Sequence, residues 1–144
     1  MGSDCNSTNT GNYRIYSQRT NNPSGATALP FDQTEAGTVG GVAESTTSTF
    51  NANANDVVDF TLITTSGGIV PKIRLYNPSG TLNSSNYSGS PFGCSGSSVE
   101  MNTVTLPVTG TYTVLIGDCS DTNTGNYEID AQKTGAPSGY RRKA

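Results

Sequence analysis

The chain has 144 residues, 13% of them charged, and a formal net charge of −3 at pH 7. That is one domain's worth of sequence with about half the usual share of charged residues. The acidic balance argues against a nucleic-acid surface, which needs a basic patch, and the absence of His removes the commonest general base and metal ligand. Only 32% of the residues are hydrophobic and 17 are Gly, so the core is expected to be thin. No run approaches the ~18–20 apolar residues of a membrane-spanning helix.

In chain order, Met1–Ser3 read as an expression leader, and no charged-then-apolar signal peptide follows. The next segment is half of an internal repeat. Asp4-Cys5-Asn6-Ser7-Thr8-Asn9-Thr10-Gly11-Asn12-Tyr13 returns as Asp118-Cys119-Ser120-Asp121-Thr122-Asn123-Thr124-Gly125-Asn126-Tyr127, and the match runs on to Pro23-Ser24-Gly25 and Pro137-Ser138-Gly139. Over residues 4–25 there are 14 identities in 22 positions at an offset of 114. That offset is the length of a whole small domain, so residues 4–20 are expected to be the last strand of a preceding unit in a tandem array. Residues 21–28 follow as a linker, 29–134 as one complete domain and 135–144 as a linker or tail. The basic cluster Tyr140-Arg141-Arg142-Lys143-Ala144 falls in that tail.

Within the complete unit no window sustains helical spacing, whereas period-two alternation recurs. Val58-Asp59-Phe60-Thr61-Leu62 puts three apolar side chains on one face. Pro71-Lys72-Ile73-Arg74-Leu75 points Ile73 and Leu75 inward and both cations outward. Val104-Thr105-Leu106, Tyr112-Thr113-Val114-Leu115-Ile116 and Tyr127-Glu128-Ile129-Asp130-Ala131 alternate likewise. Turn residues punctuate them at Asn53–Asp56, Ser66–Gly68, Asn77–Gly80 and Thr109–Gly110. Short strands with such spacing predict an all-β protein, an antiparallel β-sandwich. Ser84–Ser90 reads as a polar loop.

The order of the motifs resembles the bacterial pre-peptidase C-terminal domain family. Leu29-Pro30-Phe31 with Ala36-Gly37-Thr38-Val39 is similar to its opening, as are Phe50 before a turn and the Val57–Leu62 strand. Ile73-Arg74-Leu75-Tyr76-Asn77-Pro78-Ser79-Gly80 is similar to its strand-and-turn motif. Val104–Val114 resembles its Gly-x-Tyr segment, and Thr124–Ile129 its closing strand. The resemblance implies a jelly-roll-like sandwich used by secreted proteins as a non-catalytic accessory domain. Relatives include clostridial collagen-binding domains that bind calcium near their N-terminal linker. This chain lacks their dense acidic cluster, offering only Asp32, Glu35 and Glu44 there.

In a secreted domain the simplest disulfide is Cys94–Cys119. Three fates are open to Cys5, the counterpart of Cys119: it is free, it bridges two molecules, or it competes for Cys94 in a strand-swapped or disulfide-linked dimer. Calcium, the one cofactor considered, has candidate oxygen ligands in Asp118, Asp121 and Asn123, and a weaker set in Asn51, Asn53, Asn55 and Asp56. Neither set has the EF-hand spacing, and the same residues also serve turns. Glu100 and Glu128 are the strand-placed glutamates, with nothing in the sequence to make them face each other. Tyr112 and Tyr127 share parity with inward residues and read as structural corners. A binding face is expected from Tyr16, Tyr76 and Tyr87 with Lys72 and Arg74. Tyr is suited to it by an apolar ring and a polar tip. Asn6, Asn83 and Asn86 head N-x-Ser/Thr sequons.

The expected function is a non-catalytic binding or adhesion module of a secreted or cell-surface protein, one unit of an array beside neighbouring repeats. Its ligand would be a polysaccharide or an extracellular protein polymer. The alternatives are a structural spacer and a calcium-stabilised, collagen-binder-like module.

Overall fold

A computed structural model describes residues 2–134; the basic cluster of the tail lies outside the described residues. Nine strands form: β1 (Thr27–Ala28), β2 (Thr34–Val39), β3 (Ser45–Ala52), β4 (Val57–Gly67), β5 (Pro71–Tyr76), β6 (Leu82–Tyr87), β7 (Ser98–Thr105), β8 (Gly110–Asp118) and β9 (Gly125–Lys133). They make a five-stranded sheet in the order β1-β3-β8-β5-β6 and a four-stranded sheet in the order β2-β9-β4-β7. Apart from the short parallel pair β1–β3, every pairing is antiparallel. Successive strands mostly change sheets, and β3-β8-β5-β6 facing β2-β9-β4-β7 is the double Greek-key wiring of a jelly roll. The fold is thus the all-β sandwich that the alternation predicts.

Alternation fills the core from both layers. Val58, Phe60 and Leu62 of β4 and Tyr127, Ile129 and Ala131 of β9 meet Ile73 and Leu75 of β5 and Tyr112, Val114 and Ile116 of β8; all are buried. Phe50 organises one end: it stacks on Tyr112 at 5.5 Å between ring centroids and meets Phe31 edge-on at 5.5 Å. Both tyrosines expected as corners are anchored by their hydroxyls. Tyr112 donates to the Val108 carbonyl at 2.6 Å and accepts from the Val108 N–H at 3.1 Å. Tyr127 shares a hydrogen bond with Thr46, and its burial raises the phenol's pKa against the pull of that bond.

Two local expectations change. The supposed polar loop is largely strand β6, because the Asn- and Ser-rich segment Leu82–Tyr87 pairs along one edge of β5. An edge strand with polar side chains needs no apolar alternation to be held. The end of the supposed linker, Thr27–Ala28, pairs with β3 and directs Leu29 into the core. Residues 2–26 join no sheet, so within this one chain the repeated segment is undocked.

Candidate functional site

Register places the predicted binding residues of the complete domain together. Lys72, Arg74 and Tyr76 of β5 are paired with Gly117, Leu115 and Thr113 of β8, and Lys72 and Arg74 with Tyr87 and Ser85 of β6. Ser45, Thr47 and Thr49 of β3 complete the rows opposite Gly117, Leu115 and Thr113. Since Ile73 and Leu75 point inward, these residues line the outer face of the five-stranded sheet.

That face is not an open tyrosine platform. Tyr76 and Tyr87 are half-buried. Lys72 pairs with Asp121 at 3.2 Å. Arg74 reaches Ser45 Oγ with Nη2 at 3.4 Å, while its Nε is buried without a hydrogen-bond partner. Thr113 Oγ1 is buried and unpartnered on the same face, and Leu115 is only 4% exposed although it points away from the core. The N-terminal segment crosses here. Tyr16 donates its hydroxyl proton to the Ser45 carbonyl (2.6 Å) or to Gln18 Oε1 (2.7 Å). Thr20 donates to the carbonyl of Gly80, beyond the end of β5, at 2.8 Å. Tyr16 therefore reaches the expected face as a tether. The buried outward Leu115 was missed, although the unbroken apolar run Val114-Leu115-Ile116 is the pattern of a central strand covered on both faces.

The two outer faces differ in charge. On the four-stranded sheet, Asp59, Glu100, Glu128 and Asp130 share the outward parity of Thr61 and Ile63, with no cation on that face among the described residues. Glu100 and Glu128 sit on strands flanking β4, two strand spacings or roughly 10 Å apart, opposite different β4 residues. Asp59 accepts the Thr103 N–H at 2.7 Å beside the irregularity in β7, and Glu100 accepts from Asn102 at 3.1 Å. The five-stranded sheet carries Lys72 and Arg74 instead.

The proposed calcium ligands are otherwise engaged. Asp118 is 1% exposed. Its Oδ1 accepts the Val70 N–H at 2.8 Å. Its Oδ2 accepts from Ser120 Oγ (2.9 Å), Thr122 N (3.0 Å), Asn123 N (3.1 Å) and Asn123 Nδ2 (3.2 Å). Burial by itself would raise the carboxyl's pKa. The bonds from Val70, Thr122, Ser120 and Asn123 outweigh that and hold it below the ordinary value. Asn123 turns its amide nitrogen, not its oxygen, toward Asp118, and Asp121 faces Lys72. A calcium ion here would compete with these donors and with Lys72 for the same oxygens, an arrangement that does not favour a cation. Asp56, of the weaker set, accepts the Asn53 N–H at 2.8 Å and pairs with Lys133 at 3.3 Å.

The repeated segment folds into the same loop. Asp4 Oδ2 accepts Thr8 N at 3.0 Å and Asn9 N at 3.1 Å, matching Thr122 and Asn123 on Asp118. Ser7 and its counterpart Asp121 both have φ of 62°. Hydrogen bonds from Asn9 and Thr8 lower the pKa of Asp4 as well. What differs is burial: Tyr13 and Ile15 are 67% and 82% exposed, whereas Tyr127 and Ile129 are 4% and 1% exposed. Cys94 and Cys119 are disulfide-bonded, with Cα atoms 5.9 Å apart, and Cys5 is free and exposed.

No protein-family model matches the chain, and no curated protein does either. Among solved structures, the pre-peptidase C-terminal domain of a collagenase from Bacillus anthracis superposes with a TM-score of 0.54 at 18% identity, over 78% of this chain and 99% of that one. The chain thus has the fold of a pre-peptidase C-terminal domain, as its motif order suggests. A periplasmic inhibitor of g-type lysozyme from Aeromonas hydrophila gives a TM-score of 0.43 at 12% identity, over 74% and 97% of the two chains.

Proposed function

We propose that this protein is a non-catalytic extracellular module that binds an extended polymer, a polysaccharide or a matrix protein, on the outer face of its five-stranded sheet. The observation that carries the reading is the convergence of Lys72, Arg74, Tyr76 and Tyr87 on that one face, which also carries the Ser45, Thr47 and Thr49 hydroxyls of β3. Two cations, two half-buried amphipathic rings and short hydroxyl side chains give that face hydrogen-bonding groups and ring edges for a repeating ligand. The disulfide suits an oxidising compartment. The lack of His and the dispersed carboxylates suit a role without bond chemistry.

The test is retention on insoluble collagen, cellulose, chitin and peptidoglycan, comparing the wild type with a Tyr76→Ala/Tyr87→Ala variant. Retention on one polymer, lost in the double variant, is the expected result. Retention on none of the four, by the wild type and by a chain lacking residues 2–19 alike, overturns the reading for those ligands. A spacer role is favoured by one feature, the N-terminal segment tethered across this face by Tyr16 and Thr20. Under that reading, deletion of residues 2–19 leaves retention at zero, whereas a covered binding face gains it.

A further inference from the structure

We propose that residues 4–19 are an exchangeable arm: they fill the β9 slot, between β2 and β4, of a second copy of this chain. The slot's requirements are set by β9 itself. It takes an aromatic at Tyr127 for the hydroxyl of Thr46, a branched apolar residue at Ile129, a small apolar one at Ala131 opposite Phe60, and a cation at Lys133 for Asp56. At the offset of 114 the arm supplies Tyr13, Ile15, Ser17 and Arg19. Three of the four requirements are met. The arm also carries the preceding loop already folded, with Asp4 gathering Thr8 and Asn9 as Asp118 gathers Thr122 and Asn123. That loop sets Cys5 where Cys119 stands.

Three observations favour a second copy as the recipient. The arm's apolar face, Tyr13 and Ile15, is exposed in its own chain. Its root is fixed to the five-stranded sheet, through Thr20 on Gly80 and Thr27 on β3, whereas the slot lies in the other layer. Cys94, the thiol partner at the slot, is exposed. Reciprocal exchange uses two arms and two slots and closes with two-fold symmetry. The covalent step is thiol–disulfide exchange. The Cys5 thiolate attacks Cys94 Sγ of the second copy, a Cys5–Cys94 bond forms, and Cys119 leaves as a thiolate with no net oxidation.

Ser17 is what keeps the arm out. In the slot its hydroxyl would be added beside the position of a methyl that is 0% exposed among apolar side chains, which disfavours the arm by a factor of about ten or more. The resident strand, tethered in its own chain, wins in the unaltered protein, and removing that one hydroxyl narrows its advantage.

The experiment uses the full chain as wild type, Ser17→Ala and Ile15→Asp, all changed only at exposed arm positions. Isotopically light and heavy copies are mixed in a glutathione redox buffer, and the disulfides are mapped by mass spectrometry. The expected result is that Ser17→Ala raises inter-chain Cys5–Cys94 linkage about tenfold over wild type, with new amide protection across residues 11–19. Ile15→Asp abolishes the linkage while Cys94–Cys119 and the melting temperature stay unchanged. Equal linkage in all three proteins, or Cys5 pairing solely with another Cys5, overturns the proposal, because either shows collision of an exposed thiol without strand docking.

Discussion

Substituting Asp118 by Asn changes one atom of a buried carboxylate and tests what that loop is for. Four donors converge on Oδ2 and one, the Val70 N–H, on Oδ1. The substituted amide would keep an oxygen for the four and turn its NH2 against the Val70 N–H. The change therefore removes one charge-assisted bond, leaves a buried N–H unsatisfied and takes the charge from the rest. Together these cost about 3 kcal/mol, or a melting temperature lower by roughly 10 °C for a domain of this size. The pH dependence has a definite sign. The folded-state pKa of Asp118 is lowered, so its stabilisation is complete above the unfolded carboxylate's pKa and is lost as pH falls through the folded value. The gap between wild type and D118N is constant at neutral pH and narrows below about pH 4. Asp4 supplies the internal control, since it makes the equivalent loop on the exposed arm: D4N leaves the melting temperature unchanged. Thermal denaturation of the three proteins from neutral to acidic pH measures all of this. A D118N protein as stable as wild type, or a gap that does not change in acid, refutes the argument that the carboxylate is a structural cap.

Reducing Cys94–Cys119, which closes a sequence separation of 25, should lower stability by about 3 kcal/mol, read from chemical denaturation with and without reductant. Phe60 and Phe92 make a contrasting pair at 0% and 95% exposure: Phe60→Ala should cost about 3–5 kcal/mol, whereas Phe92→Ala should stay within about 0.5 kcal/mol. Tyr112→Phe should lose about 1 kcal/mol by removing the hydroxyl's two bonds to Val108; no loss in a denaturant titration would show that the corner contributes packing alone.

The alternating strands were legible in the chain, because an antiparallel sandwich asks each strand for one apolar face, and Val58–Leu62, Ile73–Leu75 and Tyr127–Ala131 carry that demand in their spacing. The two buried tyrosine corners were legible for the same reason, through their parity with inward residues, and the disulfide through the few cysteines a secreted domain has to pair. Strands β3 and β6 were not. Ser45–Ala52 and Leu82–Tyr87 are rich in Ser, Thr and Asn and are held by pairing with β8 and β5, so their extended state belongs to their partners rather than to their own side chains. Parity along one strand already put Lys72, Arg74 and Tyr76 on a common side; tertiary structure alone decided that Tyr87 joins them, since β5 and β6 acquire a common register only on pairing. It also decided the fate of the repeat. Residues 4–19 and 118–133 agree at ten of sixteen positions and make the same loop, yet one is buried between β2 and β4 and the other lies outside both sheets. Two related strands cannot occupy one slot, and the sequence raises that competition without deciding which strand wins.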